Sequence, residues 1–383
     1  MEKVLLIGIG GVYNYGCEAI IRGTTHILKS INPAVEIYYA SYNAEDDRKR
    51  LVDCDVNIIA RPKRRRWTVK NIIRKCLSYI GVSYLVPYDK SNWLKKFDTV
   101  FSVGGDVYTL SHTGSFDPSL PLFMEQCCKK GLRYILWGAS VGKFESNPKA
   151  LKFYREHLLK IDLIVAREKN TVDYLHSLNI LDNVVFAPDP AFFVKNPVKM
   201  GRRKNEKMII GINLSPLSAL YEYKDIKVAV RRQSSAITRL MGLMDCKVIL
   251  LPHVYSFNQQ DNDLVYMTEI YKNIETKYQK DIQIIDIDPG FIGLKQFIAQ
   301  CDFVIAARMH CAVNAITVCV PTLFLSYSEK AKGMAKFVYG SNEAVVSLQD
   351  LENTELMVNK LKNWNYTSCI DEIVQFNFCK ILR

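Results

Sequence analysis

The sequence predicts an α/β fold with two Rossmann-like domains that face a cleft. The chain has 383 residues, of which 49% are hydrophobic. A chain of this length is too long to form one typical core. Short apolar segments alternate with longer helical patterns along the chain, as in parallel sheets covered by helices on both faces. The pattern lapses between Phe193 and Lys207. We therefore expect an N-terminal domain at residues 1–197 and a C-terminal domain at residues 208–383.

Each expected strand is a short run of apolar residues followed by a segment with helical periodicity. In the N-terminal domain we expect strands at residues 4–9, 35–40, 56–60, 99–103, 134–137, 163–166 and 184–187, and helices at 18–30, 121–130 and 170–178. In the C-terminal domain we expect strands at residues 208–213, 247–252, 282–287, 303–306, 322–326 and 344–347, and helices at 294–301, 309–319 and 351–363. Ligands of open parallel sheets bind beyond the carboxyl ends of the strands, so the residues after each strand are the candidates for function.

Composition excludes several classes of protein. No apolar run reaches the roughly 18–20 residues that cross a bilayer, and the opening run is too short and glycine-rich for a signal peptide. We therefore expect a cytoplasmic protein. The 11 cysteines are scattered and odd in number, which favours reduced thiols over disulfides or a zinc site. No cluster with metal-ligand spacing occurs, so we expect no metal and no resident cofactor.

The net charge of +12 favours anionic partners. Eight basic residues lie between Arg61 and Lys75, at the start of a basic segment at residues 61–86. Apolar residues recur among them at near-helical spacing, so residues 61–80 could lie on an anionic membrane surface. A solvated basic helix packed on its own domain is the equal alternative. One basic run without a recognition module gives little support for nucleic acid binding.

Three glycine-containing turns follow expected strands of the N-terminal domain. The first contains Gly10, Asn14 and Gly16, and it resembles a dinucleotide-binding turn except that Tyr13 breaks the Gly-x-Gly-x-x-Gly pattern. No acidic residue ends the second strand to hold a ribose, so NAD binding is disfavoured. A turn that touches substrate through Asn14 and a purely structural turn both stay open.

The other two turns are Gly104-Gly105-Asp106 and the segment around Ser140. Three such turns at strand ends suggest one ligand surface lined by backbone N–H groups. Asp106 is the carboxylate of this set. It could accept a hydrogen bond from a sugar hydroxyl or act as a base, and an N-cap of the following helix is the alternative.

Two arginines follow strands directly, Arg167 in the N-terminal half and Arg308 in the C-terminal half. A cation at the end of a buried strand needs a cleft or a partner. Arginine binds carboxylate and phosphate groups with two parallel hydrogen bonds. We favour anion binding for Arg308, whereas anion binding and a structural ion pair are equal alternatives for Arg167.

Two histidines occupy comparable positions and are the candidate acid–base residues. His310 lies in the first turn of the helix expected after Arg308, where the helix dipole would also attract an anion. His253 follows the strand expected at 247–252. A further cation, Lys330, lies in the loop after the strand expected at 322–326.

In order along the chain, these motifs resemble the polysaccharide pyruvyl transferase family over about residues 4–340. The motifs are Asn14-x-Gly16, Gly104-Gly105-Asp106, Gly138-x-Ser140-x-Gly142, Arg167-Glu168, Asp189-Pro190, Pro252-His253, Arg308-x-His310 and Tyr327-x-x-Lys330-x-x-Gly333. Two positions depart from the family pattern: Cys17 stands where many relatives carry Asp, and Lys143 where Pro is usual. Both departures bear on the identity of the acceptor.

The resemblance implies a fold similar to the GT-B glycosyltransferases. It also implies transfer of pyruvate from phosphoenolpyruvate, as co-substrate, onto two hydroxyls of a sugar as a cyclic ketal, with release of phosphate. The acceptor would be a cell-surface polysaccharide or its lipid-linked precursor, and the basic segment would then dock the enzyme at the inner face of the membrane.

The implied roles divide between the two domains, with the acceptor on the N-terminal side and the donor on the C-terminal side. His310 would be the catalytic acid. The donor would be bound by Arg167, Arg308, Lys330 and Ser140. The acceptor or a secondary site would involve Asn14, Gly16, Gly104, Gly105, Asp106 and His253.

Two other functions stay open. In a nucleotide-sugar glycosyltransferase of the same shape, Arg308 and Lys330 would clamp a diphosphate, and His310 or Asp106 would act as the base. The second alternative is an inactive scaffold of a polysaccharide pathway. The intact Arg308 and His310 argue against a scaffold.

Overall fold

The computed structural model describes residues 1–61, 69–79, 92–111, 114–194, 206–326 and 329–382. The interdomain lapse in the sequence pattern and most of the basic segment 61–86 lie outside the described residues. The same holds for Tyr327. For Lys330 the structure describes the backbone position and not the side chain.

The chain divides into two compact units. The first unit comprises Met1–Gly11, Ile20–Pro190 and Phe376–Arg383, and the second comprises Val12–Ala19 and Ala191–Gln375. This division differs from the predicted 1–197 and 208–383 in two short segments. Residues Val12–Ala19 group with the second unit, because Asn14 forms an antiparallel bridge with Val254. The C-terminal segment groups with the first unit, where the Phe378 ring packs 5.4 Å from that of Trp137.

The first unit contains a parallel sheet with the order β3-β2-β1-β4-β5-β6-β7 among the described residues. Its strands are β1 (Lys3–Ile7), β2 (Glu36–Ser41), β3 (Asn57–Ala60), β4 (Thr99–Val103), β5 (Arg133–Ala139), β6 (Leu163–Ala166) and β7 (Val184–Phe186). The helices between them are α1 (Tyr15–Ile31), α2 (Ala44–Arg50), α3 (Val69–Tyr79), α4 (Ser119–Cys128), α5 (Pro148–Leu158) and α6 (Lys169–Ser177). Helix α1 begins in the segment that belongs to the second unit. Every residue of β4 and β6 is buried, as expected for central strands of a sheet covered on both faces.

The second unit contains a parallel sheet with the order β10-β9-β8-β11-β12-β13 among the described residues. Its strands are β8 (Met208–Asn213), β9 (Cys246–Leu250), β10 (Ile282–Ile284), β11 (Phe303–Ala306), β12 (Thr322–Ser326) and β13 (Val345–Ser347). Its helices are α7 (Pro216–Tyr223), α8 (Ile226–Leu243), α9 (Asp263–Lys272), α10 (Thr276–Gln279), α11 (Gly290–Ile298), α12 (Met309–Thr317), α13 (Glu329–Tyr339), α14 (Thr354–Lys362) and α15 (Ile370–Ile373). The final helix, α16 (Cys379–Leu382), belongs to the first unit.

Both sheets have the strand order of Rossmann-type folds, and the predicted two-domain α/β architecture is confirmed. The order reverses between β1 and β4 in the first sheet and between β8 and β11 in the second. Loops diverge at these points, and ligands of open α/β sheets bind beside them. All the expected strands are present, with ends that differ from the predicted ends by at most a few residues.

Several helices begin at residues whose side chains accept the first free backbone N–H groups. Asn147 caps α5 directly before Pro148, Asp225 caps α8, and Asn353 caps α14. Asn262 caps α9 by accepting from Val265 N at 3.2 Å. This cap fixes the start of α9 and therefore the position of Asp263, the first residue of the helix.

Within the described residues, no helix combines the length and the apolar character that crossing a bilayer requires. Helix α3 exposes Val69, Ile72 and Ile73. Ile72 and Ile73 lie three and four positions after Val69, so the three residues share one face of the helix.

We predict that the first unit loses stability as the pH falls below about 6.5, partly through His157. Burial lowers the pKa of this imidazole to about 3, with a smaller contribution from the charge of Lys160. The unfolded chain takes up the proton first, so the free energy of unfolding falls by up to about 1.4 kcal/mol per pH unit. We expect urea unfolding at pH 7, 6 and 5 to show that the free energy of unfolding depends less steeply on pH in His157→Gln than in wild type.

His157 stacks on Tyr108 with ring centroids 5.4 Å apart, and the Tyr108 hydroxyl lies 2.9 Å from its Nε2. Gln keeps a polar partner for that hydroxyl but has no proton to gain in this pH range. His176→Gln, at an exposed position of the same unit, controls for the loss of a histidine. Identical pH slopes in wild type and His157→Gln would contradict the assignment.

Candidate functional site

The predicted functional residues form two clusters, one within each unit. The His310 cluster in the second unit contains Asn14, Gly16, His253, Arg308 and His310. The Arg167 cluster in the first unit contains Gly104, Gly105, Asp106, Ser140 and Arg167. Apart from the turn at Asn14 and Gly16, these residues follow the carboxyl ends of strands, as the sequence predicts.

Arg308 lies where the order of the second sheet reverses. It follows β11, and its backbone N donates to Oδ1 of Asn213, the last residue of β8, at 2.8 Å. Its side chain is paired with two aspartates. Nη2 donates to Oδ1 of Asp263 at 2.8 Å and to Oδ1 of Asp261 at 2.9 Å, and Nε donates to Oδ1 of Asp263 at 3.2 Å.

Asp263 connects the loops that follow three adjacent strands. Besides binding Arg308 after β11, its Oδ2 accepts from the backbone N of His253, after β9, at 3.1 Å. Oδ2 also lies 3.5 Å from Nδ2 of Asn213, at the end of β8. The Asp263 side chain is 0% exposed. A single buried carboxylate therefore fixes the relative positions of the residues that the sequence singled out.

Electrostatics keep the Arg308 guanidinium charged. Burial alone would lower its pKa, but the Asp263 and Asp261 carboxylates outweigh burial and raise the pKa above its ordinary value. A buried charge is tolerated in this way when it is paired and hydrogen-bonded. Arg308 is thus a cation held at a fixed place beside the first turn of α12.

His310 lies in that first turn and packs against the turn containing Gly16. A Cβ atom placed on Gly16 would lie 2.5 Å from Nδ1 and 2.8 Å from Cγ of His310. Real Cβ atoms essentially never approach other atoms so closely. Glycine at this position is therefore what allows the imidazole to occupy its place.

Asn14 shapes the same turn. Its Oδ1 accepts from the backbone N of Gly16 at 2.9 Å, a side-chain turn that Asn and Asp favour. The next residue, Tyr15, donates its backbone N to the carbonyl of His253 at 3.1 Å. The Asn14-x-Gly16 motif therefore holds residues near the N-terminus against His253 and His310.

His253 is buried next to these groups. Burial lowers its pKa well below the ordinary value, and the charges of His310 and Arg308 lower it further. Its Nε2 has no hydrogen-bond partner among the described residues. His253 is therefore a neutral imidazole at physiological pH, and its ring packs 5.6 Å from that of Tyr15.

In the first unit, Arg167 is held by a buried ion pair. Its Nη1 donates to Oδ2 of Asp189 at 2.7 Å, and its Nε donates to Oγ of Ser140 at 2.9 Å. Ser140 in turn donates to Oε1 of Glu168. Burial would lower the pKa of Arg167, but the Asp189 and Asp106 carboxylates raise it above its ordinary value. Both Arg167 and Ser140 are buried. Their role in donor binding stays a prediction.

The Gly-Gly-Asp turn lies directly against Arg167. Gly104 has a φ of +121°, and a Cβ on Gly105 would lie 2.1 Å from Nη2 of Arg167. Asp106 Oδ1 lies 3.8 Å from the same nitrogen, and its side chain is 59% exposed. The two glycines thus permit the turn to pass over the guanidinium, with Asp106 facing solvent.

The chain that carries these motifs also matches the model of a known protein family. A family model described as polysaccharide pyruvyl transferase matches residues 14–329. The chain belongs to the polysaccharide pyruvyl transferase family. The match includes the motifs from Asn14 through Arg308-x-His310, so the resemblance inferred from the sequence is confirmed. No protein of curated function matches this transferase significantly.

Solved structures similar to this transferase have the GT-B fold of UDP-GlcNAc 2-epimerases. The epimerase from Methanocaldococcus jannaschii aligns with a TM-score of 0.58 and 12% identity, over 96% of this chain and 95% of that one. The epimerase from Neisseria meningitidis, bound to UDP-GlcNAc, aligns with a TM-score of 0.57 and 11% identity, over 98% and 95%. Anabaena Alr3699/HepE, in complex with UDP and glucose, gives 0.58 and 10%, over 98% and 94%. At such identities the likeness establishes the fold and nothing further.

Sequence reasoning missed three residues that bind Arg308 of the His310 cluster: Asn213, Asp261 and Asp263. Asn213 carried a recognisable signal, because a polar residue ends an otherwise apolar strand. The two aspartates carried none, since they lie eight and ten residues after His253 in a polar loop. Within the described ranges, no group of three or more His, Cys, Asp or Glu side chains could hold a metal ion.

We predict that Gly16→Ala displaces the His310 imidazole. The added methyl group would overlap the ring, whereas Gly242→Ala in α8 meets only the terminal hydroxyl of Tyr278, at 2.9 Å. In an NMR spectrum of the imidazole C–H groups, the His310 resonance is assigned by its loss in His310→Ala. We expect it to shift in Gly16→Ala and to stay in place in Gly242→Ala. An unshifted resonance in Gly16→Ala would show that the predicted close packing is absent.

Proposed function

We propose that this transferase moves pyruvate from phosphoenolpyruvate onto two hydroxyls of a sugar, as a cyclic ketal, and releases phosphate. The acceptor is a cell-surface polysaccharide or its lipid-linked precursor. The observation that carries the proposal is the pair of Arg308 and His310 at the start of α12, in a chain of the pyruvyl transferase family.

The donor requires cations beside an acid. Phosphoenolpyruvate carries a carboxylate and a phosphate, and arginine binds either group with two parallel hydrogen bonds. Arg308 supplies such a guanidinium, and the first turn of α12 adds the partial positive charge of a helix N-terminus. We assign the donor to Arg308 and His310, with Lys330, Arg167 and Ser140 as further predicted contacts.

The reaction needs one proton at a carbon atom. In the proposed step, protonated His310 gives its proton to the methylene carbon of phosphoenolpyruvate, and the neighbouring carbon becomes electrophilic. One sugar hydroxyl then adds to that carbon. The phosphate leaves with the pair of electrons of its C–O bond, and the second hydroxyl closes the ketal. Two hydroxyl protons are released: one restores His310, and the other leaves with the phosphate.

His253 is a neutral neighbour of the proposed proton donor, His310. Because its imidazole is neutral and buried, it adds no positive charge beside His310 and Arg308. We therefore propose that His253 belongs to the acceptor or a secondary site and leaves the proton transfer to His310.

For the acceptor we propose the exposed Asp106 carboxylate and the turns that contain Asn14, Gly16, Gly104 and Gly105. A carboxylate accepts hydrogen bonds from sugar hydroxyls. Two residues depart from the family pattern: Cys17 directly follows the turn with Asn14 and Gly16, and Lys143 directly follows Gly142 of the turn that contains Ser140. They are the positions at which acceptor choice would differ from that of relatives.

His310→Ala should lower turnover by about 10²- to 10⁴-fold, the usual contribution of a general acid. Affinity for phosphoenolpyruvate should change little, because Arg308 remains. Turnover is measured as phosphate released from phosphoenolpyruvate with a panel of saccharides, and the ketal is identified by mass spectrometry. His176→Ala, an exposed histidine of the first unit, is the matched control. Wild-type turnover in His310→Ala would refute the assignment of the acid.

We also propose that the basic segment contacts an anionic membrane surface. The exposed face of α3 presents Val69, Ile72 and Ile73, and eight basic residues occur between positions 61 and 75. Apolar residues beside cations are the chemistry that binds a peripheral helix to anionic lipid. Such contact would bring the enzyme to a lipid-linked acceptor.

We expect sedimentation with phosphatidylserine-containing vesicles but not with phosphatidylcholine vesicles. Binding should fall in the double variant Ile72→Ser/Ile73→Ser, which removes apolar contact and leaves the charge unchanged. The double variant Leu181→Ser/Leu243→Ser, at two similarly exposed apolar positions, controls for the general loss of apolar surface. Equal binding to neutral and anionic vesicles would contradict membrane contact through this segment.

A further inference from the structure

The two arginines of the transferase are held in the same way in the two units. Each binds one aspartate that is 0% exposed, Asp189 for Arg167 and Asp263 for Arg308. Each also lies near a second aspartate that is much more exposed, Asp106 at 59% and Asp261 at 40%. The buried aspartates have positioning roles. The exposed ones call for a different explanation, because partly exposed ion pairs add little to stability.

Asp261 and Asp263 differ in how they are anchored. Asp263 binds Arg308, the His253 backbone and Asn213, so its carboxylate has no freedom to leave. Among the described residues, the carboxylate of Asp261 accepts one hydrogen bond, from Nη2 of Arg308. The turn that carries Asp261 is held by other groups, since Asn262 Nδ2 donates to the carbonyl of Ser256 at 2.7 Å. Asp261 can therefore release Arg308 without unfolding its own loop.

We propose that Asp261 is a stand-in anion, which occupies Arg308 until the carboxylate or phosphate of the donor displaces it. This inference rests on the proposed function, because it takes Arg308 as the donor-binding cation. Neither aspartate binds Nη1 of Arg308. Displacement of Asp261 thus frees one N–H of Nη2, while Asp263 keeps Nε and the other N–H of Nη2. An anion can then bind Nη1 and the freed N–H of Nη2 in parallel.

Two physical effects make Asp261 weaken donor binding. The donor must compete with an intramolecular carboxylate for Nη2, and the displaced carboxylate still repels an incoming anion. Asp261 thereby sets the affinity of the site and discriminates against weaker anions, while Asp263 alone suffices to keep Arg308 in place between substrate turnovers.

The test is the dissociation constant of phosphoenolpyruvate, measured by isothermal titration calorimetry at low ionic strength. Asp261→Asn preserves shape and removes the charge, and Asp261→Ser removes the carboxylate altogether. We expect both to bind phosphoenolpyruvate about fivefold more tightly than wild type, or better. Circular dichroism confirms that each variant is folded.

Asp245→Asn is the matched control for net charge. Asp245 pairs with Lys207 at 2.9 Å and precedes β9, so it lies at the opposite edge of the sheet from Arg308. The affinity of the Asp245→Asn variant for phosphoenolpyruvate should stay within about twofold of that of wild type.

The possible outcomes separate the inference from the proposed function. Tighter binding in both Asp261 variants and not in Asp245→Asn supports the stand-in role. Wild-type or weaker affinity in the Asp261 variants, with measurable binding to wild type, overturns the stand-in role alone. No binding to any of the four proteins at millimolar concentration overturns the donor assignment, and Asp261 then has no ligand to stand in for.

Discussion

The buried ion pair between Asp263 and Arg308 is the interaction on which the His310 cluster depends. Three strand-end loops meet at the Asp263 carboxylate, and Arg308 could not lie at the end of a buried strand without it. Removing one member of such a pair typically costs about 3–5 kcal/mol, because the other is left as an uncompensated buried charge. The pair therefore acts as a fixed point from which α12 and His310 are placed.

Close packing across glycine completes the arrangement. The imidazole of His310 and the guanidinium of Arg167 each lie where a Cβ atom would otherwise stand, at Gly16 and Gly105. A glycine that faces a functional side chain lets backbone and side chain approach without a gap. Such contacts leave little room for the ring or the guanidinium to move.

Much of the fold could be predicted from the sequence. Parallel strands that are covered on both faces are nearly continuous apolar runs, so their positions are visible without a structure. The residues after them, Arg308 and His310 among them, could be found because the carboxyl edge of such a sheet is where ligands bind.

The partners of these residues could not be predicted. Asn14 and Gly16 lie about 240 residues before Val254 in the sequence, yet they pair with that region in the second unit. Asp261 and Asp263 carry no pattern that distinguishes them from solvated loop aspartates. Long-range pairing of this kind depends on tertiary packing, which local periodicity does not encode.

The proposed function depends on the binding of phosphoenolpyruvate to Arg308 in the second unit. Thermal unfolding of wild type and Arg308→Lys, each with phosphoenolpyruvate or UDP, tests it most directly. Lysine keeps a positive charge beside Asp263 but loses the two parallel hydrogen bonds. A ligand at about 100 times its dissociation constant stabilises the folded protein by about 2.7 kcal/mol. We predict that phosphoenolpyruvate raises the unfolding midpoint of wild type, with little effect on Arg308→Lys. A rise with UDP and none with phosphoenolpyruvate would contradict pyruvyl transfer and favour a nucleotide-sugar donor.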